Sequence, residues 1–125
     1  MTVAFQSQIT FLYTSDLKQS VDFYENILGL RLVVDQGVCK IYETSQAGYL
    51  GFCTKAELPA DLSMIILTLI TDEVDDWYET LSQQGVICEN KPKISEAYGV
   101  YHFFFRDPMG YRLEIQKFLD PNWRD

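Results

Sequence analysis

Two stretches decide the fold: DLKQSVDFYENILG at residues 16–29 and DEVDDWYETLSQQG at residues 72–85. Each opens on an aspartate, runs through a helical pattern and closes on a glycine. Asp16 and Asp72 stand 56 residues apart, and so do Gly29 and Gly85. Leu17, Val21, Tyr24 and Leu28 form one stripe in the first stretch; Val74, Trp77, Tyr78 and Leu81 form one in the second. Such spacings put apolar residues on one helix face, which must be buried against a sheet. Asp16, with Gln19 three residues on, and Asp72, with Asp75 three on, are the expected N-caps. Gly29 and Gly85 are the expected left-handed exits. Two copies at so long a period indicate a duplicated module rather than a solenoid.

The flanking segments complete each copy. Before the helices lie QITFLYT (8–14) and MIILTLI (64–70), both rich in β-branched, aromatic and aliphatic residues. After the first helix come strands over 31–35, 38–43 and 48–53, with turns at Gln36-Gly37 and Gln46-Ala47-Gly48. After the second come a short piece near 86–88, then 101–106 and 111–116, the last two joined by the turn Asp107-Pro108-Met109-Gly110. Each half reads β-α-β-β-β. The expected fold is therefore α+β, a single domain of two modules over about 6–56 and 62–119. Residues 54–63 connect them, 90–99 read as a polar loop, and 120–125 as a loosely held tail.

Composition narrows the function. The chain has 125 residues, 47% hydrophobic and 22% charged, which excludes a disordered tail and a membrane-spanning protein. Its net charge of −8 offers no positive footprint for nucleic acid or an anionic membrane, and leaves a neutral or cationic small molecule as partner. No signal-peptide pattern opens the sequence, so the expected location is the cytoplasm. Cys39, Cys53 and Cys88 are odd in number and lack Cys-x-x-Cys spacing. No disulfide is expected to hold the fold, and Cys39 and Cys53 read as packing residues.

The pattern Asp16-Leu17-x-x-Ser20-x-x-Phe23-Tyr24-x-x-x-Leu28-Gly29, followed by Phe105-Arg106-Asp107-Pro108-Met109-Gly110-Tyr111-x-x-Glu114, resembles the two signatures of the vicinal oxygen chelate superfamily. That superfamily includes glyoxalase I, extradiol dioxygenases and the bleomycin and fosfomycin resistance proteins. The resemblance implies two βαβββ modules whose curved mixed sheets form a cup, and a homodimer. In members with chemistry it also implies a divalent metal held by side chains of the first strand of each module and by a glutamate of the last strand. Here the first of those positions is Ile9 and the second Ile66, or Ile65 in the literal 56-residue register; only Glu114 matches. Isoleucine has no lone pair, and one carboxylate does not make a metal site. Neither metal nor other cofactor is expected.

Strand alternation still outlines a pocket. Phe11 and Tyr13 share a face of the first strand with Ile9; Ile66 and Thr68 share the matching face of the fifth. On the last strand Leu113 and Ile115 must pack, so Arg112, Glu114 and Gln116 face the cup. His102 and Tyr49 complete the expected ligand-binding set, with Tyr42 and Tyr98 as further rim candidates. Whether His102 or its neighbours Tyr101 and Phe103 face the cup is left open by alternation. An apolar wall opposite a short polar row suits a small organic ligand, aromatic or cationic. The resistance proteins of the bleomycin-binding kind sequester such a ligand without chemistry. The competing readings are two. One is a glyoxalase-like lyase, isomerase or dioxygenase with an unusual metal centre or with metal-free acid–base work by Glu114 and His102. The other is a non-enzymatic partner-binding module.

Overall fold

The computed structural model describes residues 3–123. The chain forms two compact units that part between Ala60 and Asp61, inside the predicted connector. The first unit runs β1 (Gln8–Thr14), α1 (Leu17–Val21), a π-helical segment (Asp22–Ile27), β2 (Arg31–Asp35), β3 (Cys39–Ser45) and β4 (Gly48–Thr54). The second runs β5 (Ile66–Ile70), α2 (Val74–Gln83), β6 (Lys93–Ser95), β7 (Val100–Arg106) and β8 (Arg112–Phe118). The strand orders are β1-β4-β3-β2 and β5-β8-β7-β6. In each sheet the first strand pairs parallel to the last and the other pairs are antiparallel. The fold is α+β, with two βαβββ modules and two mixed sheets, as the repeat predicts.

The first helix begins where Asp16 accepts the Gln19 N–H at 3.1 Å. The Ser20 hydroxyl donates to Thr14 Oγ1 at 2.8 Å, and that oxygen also accepts from the Asp16 N–H, so strand end and helix start are tied together. The helix then widens: Leu28 N–H donates to the Phe23 carbonyl five residues back. Gly29 and Gly85 leave their helices at φ 71° and 83°, a backbone shape that costs a glycine little. The second helix starts differently from expectation. Asp72 does not cap it; the N-cap is Glu73, whose side chain makes no capping bond. The preceding Thr71 hydroxyl accepts the Glu73 N–H at 3.0 Å instead.

Each helix lies on one face of its own sheet. In the first unit Phe23, Tyr24 and Leu28 are buried with Leu12, Tyr42 and Phe52. The Tyr24 and Phe52 rings stand 4.3 Å apart. Tyr42 is therefore core, not rim: alternation on β3 puts it beside Leu50 and Phe52, and it is 0% exposed. In the second unit Val74 and Leu81 meet Phe103, Phe105, Leu113 and Ile115, and Tyr78 sits edge-on to Phe103 at 5.4 Å.

Two further expectations are corrected. The second strand of the second module lies at Lys93–Ser95, within the predicted polar loop, while residues 86–88 supply only the bridge Cys88–Phe105. An edge strand pairs on one side only and tolerates polar residues, so its composition hides it. Cys39 and Cys53 are joined by a disulfide; the β3–β4 hairpin makes them direct partners with Cα atoms 4.2 Å apart. Cys88 is free. Within the tail, residues 120–123 are exposed and the Trp123 ring stacks on Phe118 at 4.1 Å; residues 124 and 125 lie outside the described residues. Among the described residues no helix is long and apolar enough to cross a membrane.

Candidate functional site

The face of each sheet turned from its helix carries the predicted ligand-binding residues. On the first sheet these are Phe11, Tyr13 and Tyr49. The Phe11 ring covers Gly51, where a Cβ would fall 2.5 Å from ring carbons, so glycine there lets the aromatic ring lie flat on the strand. Lys55 lies over the Tyr13 ring at 4.9 Å. Ile9, Phe11 and Tyr13 are each about half exposed.

The second sheet holds a cavity of about 500 Å³, every lining residue of which belongs to the second unit. Strand register builds it in rows. Thr68, Glu114 and Phe104 are partners across β5, β8 and β7; Gln116 and His102 are partners in the next row. Five predicted residues line the cavity: Ile66, His102, Arg112, Glu114 and Gln116. Tyr98 joins them from the loop before β7, and Val100, Phe104 and Phe118 complete the apolar wall. The alternation left open on β7 is settled: His102 and Phe104 face the cavity, and Phe103 and Phe105 face the helix.

Glu114 is buried and fully engaged. Its Oε1 accepts from the Thr68 hydroxyl at 2.9 Å, and its Oε2 lies 2.6 Å from His102 Nδ1. Thr68 is thus the carboxylate's support rather than a wall residue. The His102 ring meets Phe104 edge-on at 5.1 Å. Arg112 lies over the other neighbour of this row, its guanidinium 3.8 Å from the Phe104 ring centre. Its charge is met by Glu89, which also accepts from Arg106 at 3.0 Å. Burial alone would raise the Glu89 carboxyl, but the two guanidiniums outweigh it and hold the group below its ordinary value. Glu89 was not foreseen. It stands outside any strand, and the Cys88–Phe105 bridge together with its own N–H bond to the Phe104 carbonyl at 2.7 Å delivers it to the two arginines.

The metal that the resemblance implies does not fit these residues. Ile9 and Ile66 offer no donor where two ligands would stand. Both oxygens of Glu114 are occupied by protein donors. Among the described residues no three His, Cys, Asp or Glu side chains gather into a group that could hold a metal ion.

Comparison with known proteins agrees with the architecture. The profile of the Glyoxalase/Bleomycin resistance protein/Dioxygenase superfamily matches residues 6–115. The uncharacterized protein YraH of Bacillus subtilis (strain 168) is 32% identical over 121 residues, covering 86% of this chain and 94% of YraH. The metallothiol transferase FosB of Lysinibacillus sphaericus (strain C3-41) is 29% identical over 120 residues, covering 92% of this chain and 83% of FosB. A crystal structure of a glyoxalase/bleomycin resistance protein/dioxygenase from Nocardioides superposes with a TM-score of 0.79 at 20% identity, covering 100% of this chain and 90% of that one. With a profile spanning most of the sequence and a fold able to bind small molecules, the chain belongs to the Glyoxalase/Bleomycin resistance protein/Dioxygenase superfamily.

Proposed function

We propose that this protein is a small-molecule binding protein that sequesters an aromatic organic ligand without a metal, and that it works as a homodimer. One observation carries the reading: the cavity over the second sheet is open, with Ile66, Val100, Phe104 and Phe118 as apolar wall and His102, Arg112, Glu114 and Gln116 as the polar groups set among them. Apolar walls supply affinity and a few fixed polar atoms supply orientation. A cationic ligand is favoured less than an aromatic one. The carboxylate that would attract a cation, Glu114, is already covered by His102 and Thr68. A module that only docks a protein partner would be expected to fill this space with side chains.

The His102–Glu114 contact favours a second reading, metal-free acid–base chemistry on the bound molecule. A carboxylate that orients an imidazole is a common support for proton transfer. The test is a screen of aromatic compounds by ligand-observed NMR against the wild type and Ile66→Trp, which fills the cavity. Hits lost in the variant support the binding site, and hits converted to product by the wild type favour the enzyme. Hits retained by a folded Ile66→Trp variant would overturn the assigned site.

A further inference from the structure

His102 and Gln116 are cross-strand partners on β7 and β8. Sheet geometry holds such neighbours with Cβ atoms about 5 Å apart. Both are more than nine-tenths buried, at 7% and 8% exposure, and both line the cavity. His102 commits Nδ1 to Glu114. Among the described residues nothing engages its Nε2 or the Gln116 side-chain amide. Neither group is sealed away: the one fully buried side-chain polar atom without a partner among the described residues is the Tyr42 hydroxyl. Two polar groups with unused hydrogen-bonding capacity therefore stand side by side in the cavity, where Glu114 and Arg112 are already engaged by the protein.

Glu114 fixes which nitrogen of a neutral His102 ring carries the hydrogen. A carboxylate only accepts, so the hydrogen in the 2.6 Å contact is carried by Nδ1. In the neutral ring Nε2 is then a bare acceptor, held in orientation by the carboxylate. The Gln116 amide can both donate and accept. Two other charged groups stand around His102, one engaged by the protein and one facing solvent. From β8, Arg112 is held by Glu89 and the Phe104 ring; from β6, Lys93 is the register partner of His102 and is exposed at the rim.

We propose that His102 and Gln116 form the recognition edge of the pocket, and that the ligand is a flat, uncharged ring carrying a cyclic secondary amide. The lactam N–H donates to His102 Nε2, and the Gln116 NH₂ donates to the adjacent lactam carbonyl. Phe104, Phe118 and Ile66 hold the ring itself. This rests on the reading of the cavity as a small-molecule site.

The probes are 2-quinolone and 1-methyl-2-quinolone, which differ in the single N–H. Titration calorimetry with the wild type is expected to show 2-quinolone binding about tenfold more tightly, the size of one well-made hydrogen bond. The His102 Nε2 resonance should shift in the ¹⁵N spectrum with 2-quinolone alone. In His102→Phe the two lactams should bind alike, which separates a lost hydrogen bond from the bulk of the methyl group. Gln116→Leu, a variant that leaves the His102–Glu114 contact in place, should weaken both lactams together by removing the donor to the carbonyl. Equal binding of the two lactams to the wild type, with Phe104 and Ile66 signals perturbed, would overturn the recognition edge and leave the binding pocket standing. So would no binding of either lactam while other aromatic compounds fill the cavity. No aromatic compound in the cavity at all would overturn the proposed function with it.

Discussion

Tyr42 shows how one side chain can be well packed and poorly satisfied. Its ring closes the core beside Phe52, yet its hydroxyl is buried with no hydrogen-bond partner among the described residues. Burial, then the charges of Glu25 and Asp35, push its pKa up to about 12. The unfolded chain would release this proton near pH 10, so between pH 10 and about 12 the folded state binds more protons and stability falls as pH rises. Tyr42→Phe is expected to gain about 1 kcal/mol in urea unfolding, since an unpartnered buried polar atom costs about that much. It should also lose the part of the alkaline decline that belongs to Tyr42. A loss of stability in the variant would mean that the hydroxyl has a partner. Glu89 gives the opposite sign. Its carboxyl is held below its ordinary 4.5, so its contribution is present above that pH and is lost as pH falls through the lower folded value. Glu89→Gln should cost about 0.5–1 kcal/mol at pH 7, discounted for its partly exposed pairs, and should flatten the decline below pH 4.5. The sequence reading puts Tyr42 at the rim and does not single out Glu89. Alternation on β3 is not pinned to a helix by the sequence, so Tyr42 reads as rim, and Glu89 depends on irregular backbone contacts with β7 that no periodicity announces. By contrast Arg112, Glu114 and Gln116 were legible, because Leu113 and Ile115 between them had to be buried.

At the scale of elements, the sequence was most informative where local chemistry acts alone. The Asp107 turn is one case: its carboxylate accepts from the N–H groups of Met109, Gly110 and Tyr111, each at 2.9 Å, which folds β7 back onto β8. The helix cap at Asp16 and the glycine exits are others. Legibility failed where partners are set by register. Cys39 and Cys53 are 14 residues apart in the chain and carry no motif, yet a tight hairpin makes them facing neighbours. The bridge between them should be worth about 3 kcal/mol through the shortened freedom of the unfolded chain. Urea unfolding with and without dithiothreitol checks this. Reduction should lower stability by about that amount in the wild type and leave Cys39→Ser/Cys53→Ser unaffected. A thiol titration of the denatured, unreduced protein should find Cys88 alone. Three free thiols and no effect of reductant would show that the pair stays reduced in solution.

At the scale of the whole molecule, the sheet faces without helices carry the argument. Each module buries one face under its own helix, while Ile9, Phe11 and Tyr13 on the first sheet, and Ile66 and Ile70 on the second, remain 41–51% exposed. Apolar residues in such rows are costly to leave in water, at about 25 cal/mol for each Å² that could be covered. The same rows hold the predicted ligand contacts, so covering them and completing a binding site are linked problems. The proposed symmetric dimer would meet the need, because a two-fold association covers the same patch on both copies. Light scattering on a sizing column should therefore give twice the 14.5 kDa chain mass at micromolar concentration. Phe11→Asp places a charge in the middle of the first row and should shift the protein to the single-chain mass while its helical circular dichroism persists. Ligands identified on the wild type should then bind more weakly to that variant if the covered rows shape the pocket. A wild type that stays at 14.5 kDa across the concentration range would overturn the homodimer and leave the cavity on the second sheet to bind alone.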